Sequence, residues 1–179
     1  MAVRKILRYG DPILLQRSQE VSDFASQSLM SLVQDMEETM QAYDGAGLAA
    51  PQIGVLQRVV IFGTKEPVGN PRYPKAGHVP YTVLINPKLT VLTQETQGMW
   101  EGCLSVPGMR GYVERPNHIR YSGYDKFGES IEREVDGFHA VVVQHECDHL
   151  DGVLYPMKLK DPIMFGYQEE IVAALDEQD

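Results

Sequence analysis

The chain has 179 residues, 43% of them hydrophobic and 23% charged, which predicts a single globular domain spanning residues 1–179. Its formal net charge of -9 argues against a dedicated nucleic-acid surface, because binding a phosphate backbone requires positive charge. No apolar run reaches the ~18 residues of a membrane helix, and the N-terminus lacks the long apolar stretch of a signal peptide, so we expect a cytoplasmic protein.

The first predicted helix begins near Ser26 and stops before Gly45. Apolar side chains recur in it at helical spacing and therefore share one face. They are Leu29, Leu32, Val33, Met36 and Met40. Ser26 or Ser28 is a suitable N-cap, and glycine is typical of a helix end. The preceding residues, 1–24, are predicted to be irregular.

Short strands are predicted to follow this helix. Runs rich in β-branched and aromatic residues, bounded by turn residues, occur at 58–62, 81–86, 88–96, 112–114, 118–124 and 130–135. Between the first two runs, four prolines and three glycines predict a long surface loop over residues 63–80, without a strand of its own. Near the C-terminus, residues 164–175 are predicted to form an amphipathic helix.

A further helix is predicted over residues 138–150. Apolar residues lie on both of its faces, which indicates a helix buried in the middle of the domain. Because the strands are grouped before this helix and do not alternate with helices, the sequence predicts an α+β fold. In this fold, mostly antiparallel strands pack around a central buried helix, and the other two helices lie N-terminal and C-terminal to them.

The predicted central helix carries the most informative motif, His145-Glu146-Cys147-Asp148-His149. Two histidines four residues apart share a helix face and can hold one metal ion, and the adjacent glutamate can move a proton there. The alternative, two core histidines and a carboxylate without partners, is costly in an apolar helix. Cys147 points away from both histidines, so we expect one coordination position to stay open for substrate.

The third metal ligand has two candidates. Glu169 follows His149 by twenty residues, a spacing like that of thermolysin-type metalloproteases, and would make the protein a zinc endopeptidase. The neighbours of Glu169, however, resemble the solvated face of a terminal helix. Cys103 lies in a turn-rich stretch, Glu101-Gly102-Cys103-Leu104-Ser105. It would complete a set of one thiolate and two imidazoles, which suits catalytic zinc or ferrous iron.

A third segment, residues 45–52, contains two glycines and ends at Gln52. It matches the G-x-G-x-x-A fingerprint of dinucleotide-binding proteins, in which a strand precedes the motif and a helix follows it. Here a predicted helix precedes the motif, and Pro51 interrupts whatever follows. We therefore expect a loop whose backbone can approach a ligand closely, with Gln52 as the polar side chain at its end. An ordinary surface glutamine is the alternative.

Together, the three segments closely resemble the motifs of peptide deformylases. That family is marked by G-φ-G-φ-A-A-x-Q, E-G-C-φ-S and H-E-φ-D-H in this order, where φ is hydrophobic. All three are present, at 45–52, 101–105 and 145–149. The departures from the commonest form are Cys147 at the φ position of the third motif and a longer 63–80 loop. The resemblance implies a hydrolase that removes the formyl group from the N-terminal formylmethionine of newly made polypeptides and releases formate.

The resemblance also implies roles for particular residues. One divalent metal ion, Fe(II) natively with Zn(II) or Ni(II) able to replace it, would be held by Cys103, His145 and His149. Glu146 would act as general base and then as general acid. The side-chain amide of Gln52 and the backbone N–H of Leu104 would form the oxyanion hole.

Substrate contacts follow from the same resemblance. The backbone of Gly47 would meet the peptide, and the methionine side chain needs an apolar slot. Candidates for lining that slot are Ala46, Met99, Phe138, Val141 and Val142. Glu101 and Arg110 are predicted to pair behind the ligands. The implied partners are N-formylmethionyl nascent peptides, with a transient contact to the ribosome. A metal-stabilised binding module without catalysis is the non-enzymatic alternative.

Overall fold

The computed structural model describes residues 2–66 and 77–176, with side chains up to residue 173. Within these residues the protein is α+β, with antiparallel sheets, as predicted. Its three helices are α1 (Gln27–Ala42), α2 (Gly137–Leu150) and α3 (Gln168–Asp176). Its strands are β1 (Gly47–Ala49), β2 (Val59–Phe62), β3 (Thr82–Val91), β4 (Thr96–Cys103), β5 (Val106–Pro116), β6 (His118–Tyr124), β7 (Ser130–Asp136) and β8 (Phe165–Tyr167).

The larger sheet has five antiparallel strands in the order β1-β2-β3-β6-β7, and a helix covers each of its faces. Strand β2 shows this arrangement because side chains alternate between the two faces of a strand. Val59 and Ile61 pack in a core cluster with α1. Val60 and Phe62 pack in a second cluster with α2. The strand β2 therefore lies between these two hydrophobic clusters, and all four of its side chains are buried.

Helix α1 follows its sequence pattern closely. The Ser26 hydroxyl caps its first turn by accepting a hydrogen bond from the Leu29 N–H, at 3.3 Å, and its predicted apolar stripe is buried. The helix ends at Ala42, and the chain then passes through Asp44 with φ of 51° before reaching Gly45. After this turn the glycine-rich segment enters β1.

Helix α2 is buried along most of its length. It packs against β1, β2, β6 and β7 of the five-stranded sheet and also against β5. Ala140, Val143 and Cys147 lie in the core cluster shared with the large sheet. Cys147 therefore serves as a buried apolar side chain, and burial raises its pKa far above the ordinary thiol value.

The smaller sheet has the strand order β4-β5-β8. The sequence pattern did not predict its first strand, β4. Residues 101–103 were expected in a turn-rich stretch, but they end β4. Only Leu104 and Ser105 separate β4 from β5, so the two strands form a tight hairpin in which Cys103 faces Val106. The strands fix Cys103 more rigidly than the expected turn would have done.

Several predicted boundaries are wrong. The predicted strands 81–86 and 88–96 are one strand, β3, with an irregularity at Asn86. Asn86 adopts φ of 50° and hydrogen-bonds both backbone polar groups of Val21 with its side chain, so the strand bends without ending. The predicted C-terminal helix 164–175 begins only at Gln168, because β8 occupies residues 165–167. Residues 47–49, expected in a loop, form β1.

The predicted surface loop over residues 63–80 falls largely on residues 67–76, which lie outside the described residues. At its two flanks, Thr64 and Pro80 form an isolated β-bridge. Across residues 2–66 and 77–176, no helix combines the length and the apolar character needed to cross a membrane.

Candidate active site

Three potential metal ligands meet where β4 approaches α2. Cys103 ends β4, and His145 and His149 lie one turn apart on the same face of α2. The nearest ligand atoms of the three residues lie within 4.8 Å of one another, and all three residues are buried. The Cys103 Sγ is 3.3 Å from the His149 Nε2. One thiolate and two imidazoles at this spacing could hold a divalent metal ion and leave a position open.

The electrostatics of these residues favour a thiolate. Burial alone would raise the pKa of the Cys103 thiol, but the adjacent His149 and His145 outweigh it and hold this pKa well below the ordinary value. Burial alone would lower the pKa of the His145 imidazole. Its hydrogen bonds to Cys103 and Glu101 outweigh burial and raise this pKa well above the usual range. The thiolate is the form of cysteine that binds metals.

A buried ion-pair network holds the Nδ1 side of the His145 ring. The His145 Nδ1 lies 2.8 Å from the Glu101 Oε2, and Arg115 binds both oxygens of the same carboxylate. Arg115 also reaches the Asp148 Oδ2 at 2.8 Å. Although burial raises the pKa of Glu101, Arg115 and His145 lower it to about 2. An ionised Glu101 accepts the Nδ1–H of His145, so Nε2 is the nitrogen that would bind a metal in exchange for its proton.

The predicted pairing of Glu101 with Arg110 is therefore wrong, because Arg115 is its partner. The Arg110 Nε instead donates to the Gln168 Oε1, at 3.1 Å. Both arginines lie on β5, and the alternation of that strand distinguishes them, since Arg115 shares a face with the buried Val113. Correct boundaries for β5 would have been needed to read that alternation from the sequence.

Glu146 lies in the third turn of α2, next to His145. It is buried, and its Oε2 has no hydrogen-bond partner among the described residues. Burial raises the pKa of Glu146 to about 7, although the neighbouring imidazoles lower it. The carboxylate fits only because residue 47 is a glycine: a Cβ there would stand 2.3 Å from the Glu146 Oε1.

Gln52 is buried, not a surface glutamine. It lies in a short 3₁₀ helix, Ala50–Ile53, which follows β1, and only 1% of it is exposed. The Ala49 N–H donates to its Oε1 at 2.8 Å, and its Nε2 donates to the Ser105 Oγ at 3.1 Å. The same Nε2 lies 3.4 Å from the Cys103 Sγ. The amide is therefore fixed next to the ligand cluster.

A single pocket brings together the residues that the sequence predicted for substrate contact. Its walls come from β1 and the preceding residue, from β4, and from α2. The predicted substrate-contacting residues on its lining are Ala46, Gly47, Met99, Phe138, Val141 and Val142. Gln52, Leu104, Cys103, His145 and Glu146 also line it. Polar and potential ligand residues thus line the same pocket as the apolar side chains.

Glu169, the alternative third ligand, lies elsewhere. It is exposed in the first turn of α3, and it is not part of the Cys103–His145–His149 cluster. The sequence pattern missed Arg115, Asp148 and Ser105. Asp148 could have been anticipated from its place inside the motif, whereas Ser105 and Arg115 acquire their contacts only through the β4–β5 hairpin.

Comparison with known proteins gives a consistent result. The family described as polypeptide deformylase matches residues 3–163. Peptide deformylase 1 of Nitrosomonas europaea is 56% identical over 169 residues, covering 94% of each chain. Peptide deformylase 1 of Bordetella pertussis is 52% identical over 174 residues, covering 97% of each chain.

Solved structures of similar fold come from the same group of proteins. A Met-Ala-Ser bound class I type b peptide deformylase from Acinetobacter baumannii has a TM-score of 0.83 at 37% identity, covering 88% of this chain and 99% of that one. The peptide deformylase from Thermotoga maritima has a TM-score of 0.79 at 36% identity, covering 90% of this chain and 100% of that one.

Proposed function

Because the chain belongs to the peptide deformylase family of enzymes, we propose that it removes the formyl group from the N-terminal formylmethionine of newly made polypeptides and releases formate. One observation carries this proposal. Cys103 completes a three-ligand cluster with His145 and His149, and Cys103 and His145 line one pocket together with Glu146 and Gln52. An endopeptidase that used Glu169 as its third ligand would not need Cys103 in that position.

We assign the metal to Cys103, His145 and His149, with Fe(II) as the native ion and Zn(II) or Ni(II) as possible replacements. The low pKa of Cys103 and the buried, converging donor atoms support this assignment, since such a donor set suits these ions. A divalent cation bound there would lower the pKa of a water molecule and polarise the carbonyl oxygen of the formyl group. Helix α2 then acts as the central element of the site, because it supplies two ligands and the proton carrier.

Glu146 acts on the proton. As general base it takes a proton from the water that attacks the formyl carbon, and as general acid it gives this proton to the methionine nitrogen when the C–N bond breaks. Its position supports both roles: it lies between the ligand histidines in sequence and lines the same pocket. The products are formate and a peptide with a free N-terminus.

Gln52 and Leu104 stabilise the carbonyl oxygen. Gln52 and Leu104 both line the pocket that contains Cys103 and His145. In the proposed reaction the Gln52 side-chain amide and the Leu104 backbone N–H donate to this oxygen as its negative charge builds. A donor of this kind is worth about 3 kcal/mol of barrier. The apolar slot then receives the methionine side chain, lined by Ala46, Met99, Phe138, Val141 and Val142.

The peptide backbone has two strand edges available beside the pocket. Within the described sheets, β1 pairs only with β2, and β4 pairs only with β5. Both strands reach the pocket, β1 through Gly47 and β4 through Met99. An extended peptide can therefore lie between them and form main-chain hydrogen bonds. This arrangement would hold N-formylmethionyl peptides in general, because main-chain bonds do not depend on the later side chains.

We place this reaction in N-terminal protein processing during protein biosynthesis, in the cytoplasm and with a transient contact to the ribosome. Residues 1–179 would act as one catalytic domain, since β1, β4 and α2 must be held together to form the pocket. The test is formate release from formyl-Met-Ala-Ser by the protein loaded with Fe(II), Zn(II) or Ni(II), with Glu146→Ala as the inactive control. Absence of formate with all three metals would exclude the proposed function.

A further inference from the structure

We propose that Ser105 is a positioning residue that orients the Gln52 amide for the reaction. The inference rests on the proposed function, because it assumes that Gln52 donates to the formyl oxygen. It concerns a side chain that does not border the pocket: Gln52 lines it, whereas Ser105 lies behind the amide and is fully buried.

The orientation of the amide follows from its two neighbours. The Ala49 N–H can only donate, so the atom 2.8 Å from it must be the amide oxygen of Gln52. The amide nitrogen consequently points towards Ser105 and Cys103. One of its two N–H groups is taken by the Ser105 Oγ, at 3.1 Å. The second N–H lies on the Cys103 Sγ, at 3.4 Å, and therefore points towards the ligand cluster, where a substrate carbonyl would be.

The backbones of both residues are held by the same short N-terminal segment. The Leu7 N–H donates to the Gln52 carbonyl at 2.8 Å, and the Tyr9 N–H donates to the Ser105 carbonyl at 2.7 Å. Residues 52 and 105 are far apart in sequence, yet this segment bridges them. Main-chain bonds to one segment therefore hold the backbones of residues 52 and 105 next to each other.

Removal of the hydroxyl should loosen the amide without removing it. The last torsion of a glutamine side chain has broad minima, so the amide plane depends on its hydrogen bonds. With Ser105→Ala, the amide keeps the Ala49 N–H and the weak sulfur acceptor of Cys103, but it loses the hydroxyl oxygen that holds its nitrogen at 3.1 Å. Since stabilisation of the developing charge depends on donors that are already aligned, we expect kcat to fall by about tenfold, the effect of one hydrogen bond. KM and metal content should not change.

A double-mutant cycle tests whether Ser105 acts through Gln52. It compares the metal-loaded wild type with Ser105→Ala, Gln52→Ala and the double variant, using formate release from formyl-Met-Ala-Ser. Gln52→Ala should lower kcat by about 10²–10³-fold. Adding Ser105→Ala to it should lower kcat by no more than about twofold, because the group that Ser105 orients is gone. A further tenfold loss in the double variant, or full activity of Ser105→Ala alone, would overturn the inference.

Ser18→Ala is the matched control, because Ser18 is also a buried serine but its hydroxyl has no hydrogen-bond partner among the described residues. It should keep the wild-type kcat. If Ser105→Ala does not fold, Ser105→Thr and Ser105→Val provide an isosteric pair that differs in the hydroxyl, and only the threonine should retain most activity. Wild-type kcat in Gln52→Ala would disprove the assumed role of Gln52, whereas an inactive wild type would disprove the proposed function itself.

Discussion

Arg115 and Glu101 form a bidentate ion pair in which both side chains are almost completely removed from solvent, at 2% and 3% exposure. The pair connects β5 to β4, and Glu101 extends the connection to His145 in α2. It therefore fixes the orientation of His145, one of the three residues that could hold a metal.

Replacement of Arg115 by alanine should weaken both the fold and the metal site. Loss of one partner leaves the Glu101 carboxylate buried without its counter-charge, which costs about 3–5 kcal/mol of unfolding free energy. Metal affinity should fall by about 10–100-fold because His145 loses its fixed orientation. Urea unfolding and a metal titration measure the two effects.

Arg120→Ala is the control for this prediction, because the Arg120–Glu134 ion pair is exposed, at 45% and 48%. It should cost less than about 1 kcal/mol and leave metal affinity unchanged. Equal effects of the two substitutions would show that burial of the Arg115 pair is irrelevant.

Metal retention should distinguish the two candidates for the third ligand. After dialysis, the metal content of Cys103→Ala should be lower than that of the wild type by about tenfold or more, because one of three ligands is lost. Glu169→Gln should retain the wild-type amount, since Glu169 is exposed in α3. Elemental analysis of the dialysed proteins gives the answer, and loss of metal from Glu169→Gln alone would refute the assignment.

Gly47→Ala should displace Glu146. The added Cβ would approach the Glu146 carboxylate to 2.3 Å, so the side chain must move away from the ligands. We expect kcat for formate release to fall by about 10²-fold or more, in line with the loss of a general base, while metal content stays at the wild-type level. Gly77→Ala is a suitable comparison, because a Cβ at Gly77 meets nothing within 4 Å.

His139 should make the folded state sensitive to mild acid. Burial, together with the positive charge of Arg133, lowers the pKa of His139 from 6.5 to about 4. Between these two values the unfolded chain binds a proton that the folded protein does not, so stability is complete above pH 6.5 and is lost as the pH falls towards 4. After allowance for partial solvent exposure, this loss should be about 1–2 kcal/mol.

The variant His139→Phe tests this dependence, since the phenyl ring can keep the edge contact with Phe62, at 5.9 Å between ring centroids. Urea unfolding of both proteins at pH 7 and at pH 4.5 should show a smaller decrease in stability for the variant. A parallel decrease in the two proteins would mean that other groups cause the acid sensitivity.

Predictability from the sequence differs between local and long-range features. The apolar stripe of α1 and the spacing of His145 and His149 are properties of one helix, so periodicity reveals them directly. Gly102 and the following Pro107-Gly108 predict a turn at the end of β4, although the hairpin turn consists only of Leu104 and Ser105. Arg115 was missed because its contact with Glu101 depends on the register between two strands whose bounds were not known.

The position of Cys103 has a consequence for how the molecule holds together. It belongs to the three-stranded sheet, while His145 and His149 belong to a helix seated on the five-stranded sheet. An ion shared by these ligands would tie the two sheets together as a crosslink, and its binding energy would become folding energy. At a free ion concentration one hundred times its Kd, this linkage adds about 2.7 kcal/mol. A chelator should therefore lower the melting temperature of the whole protein as well as stop turnover.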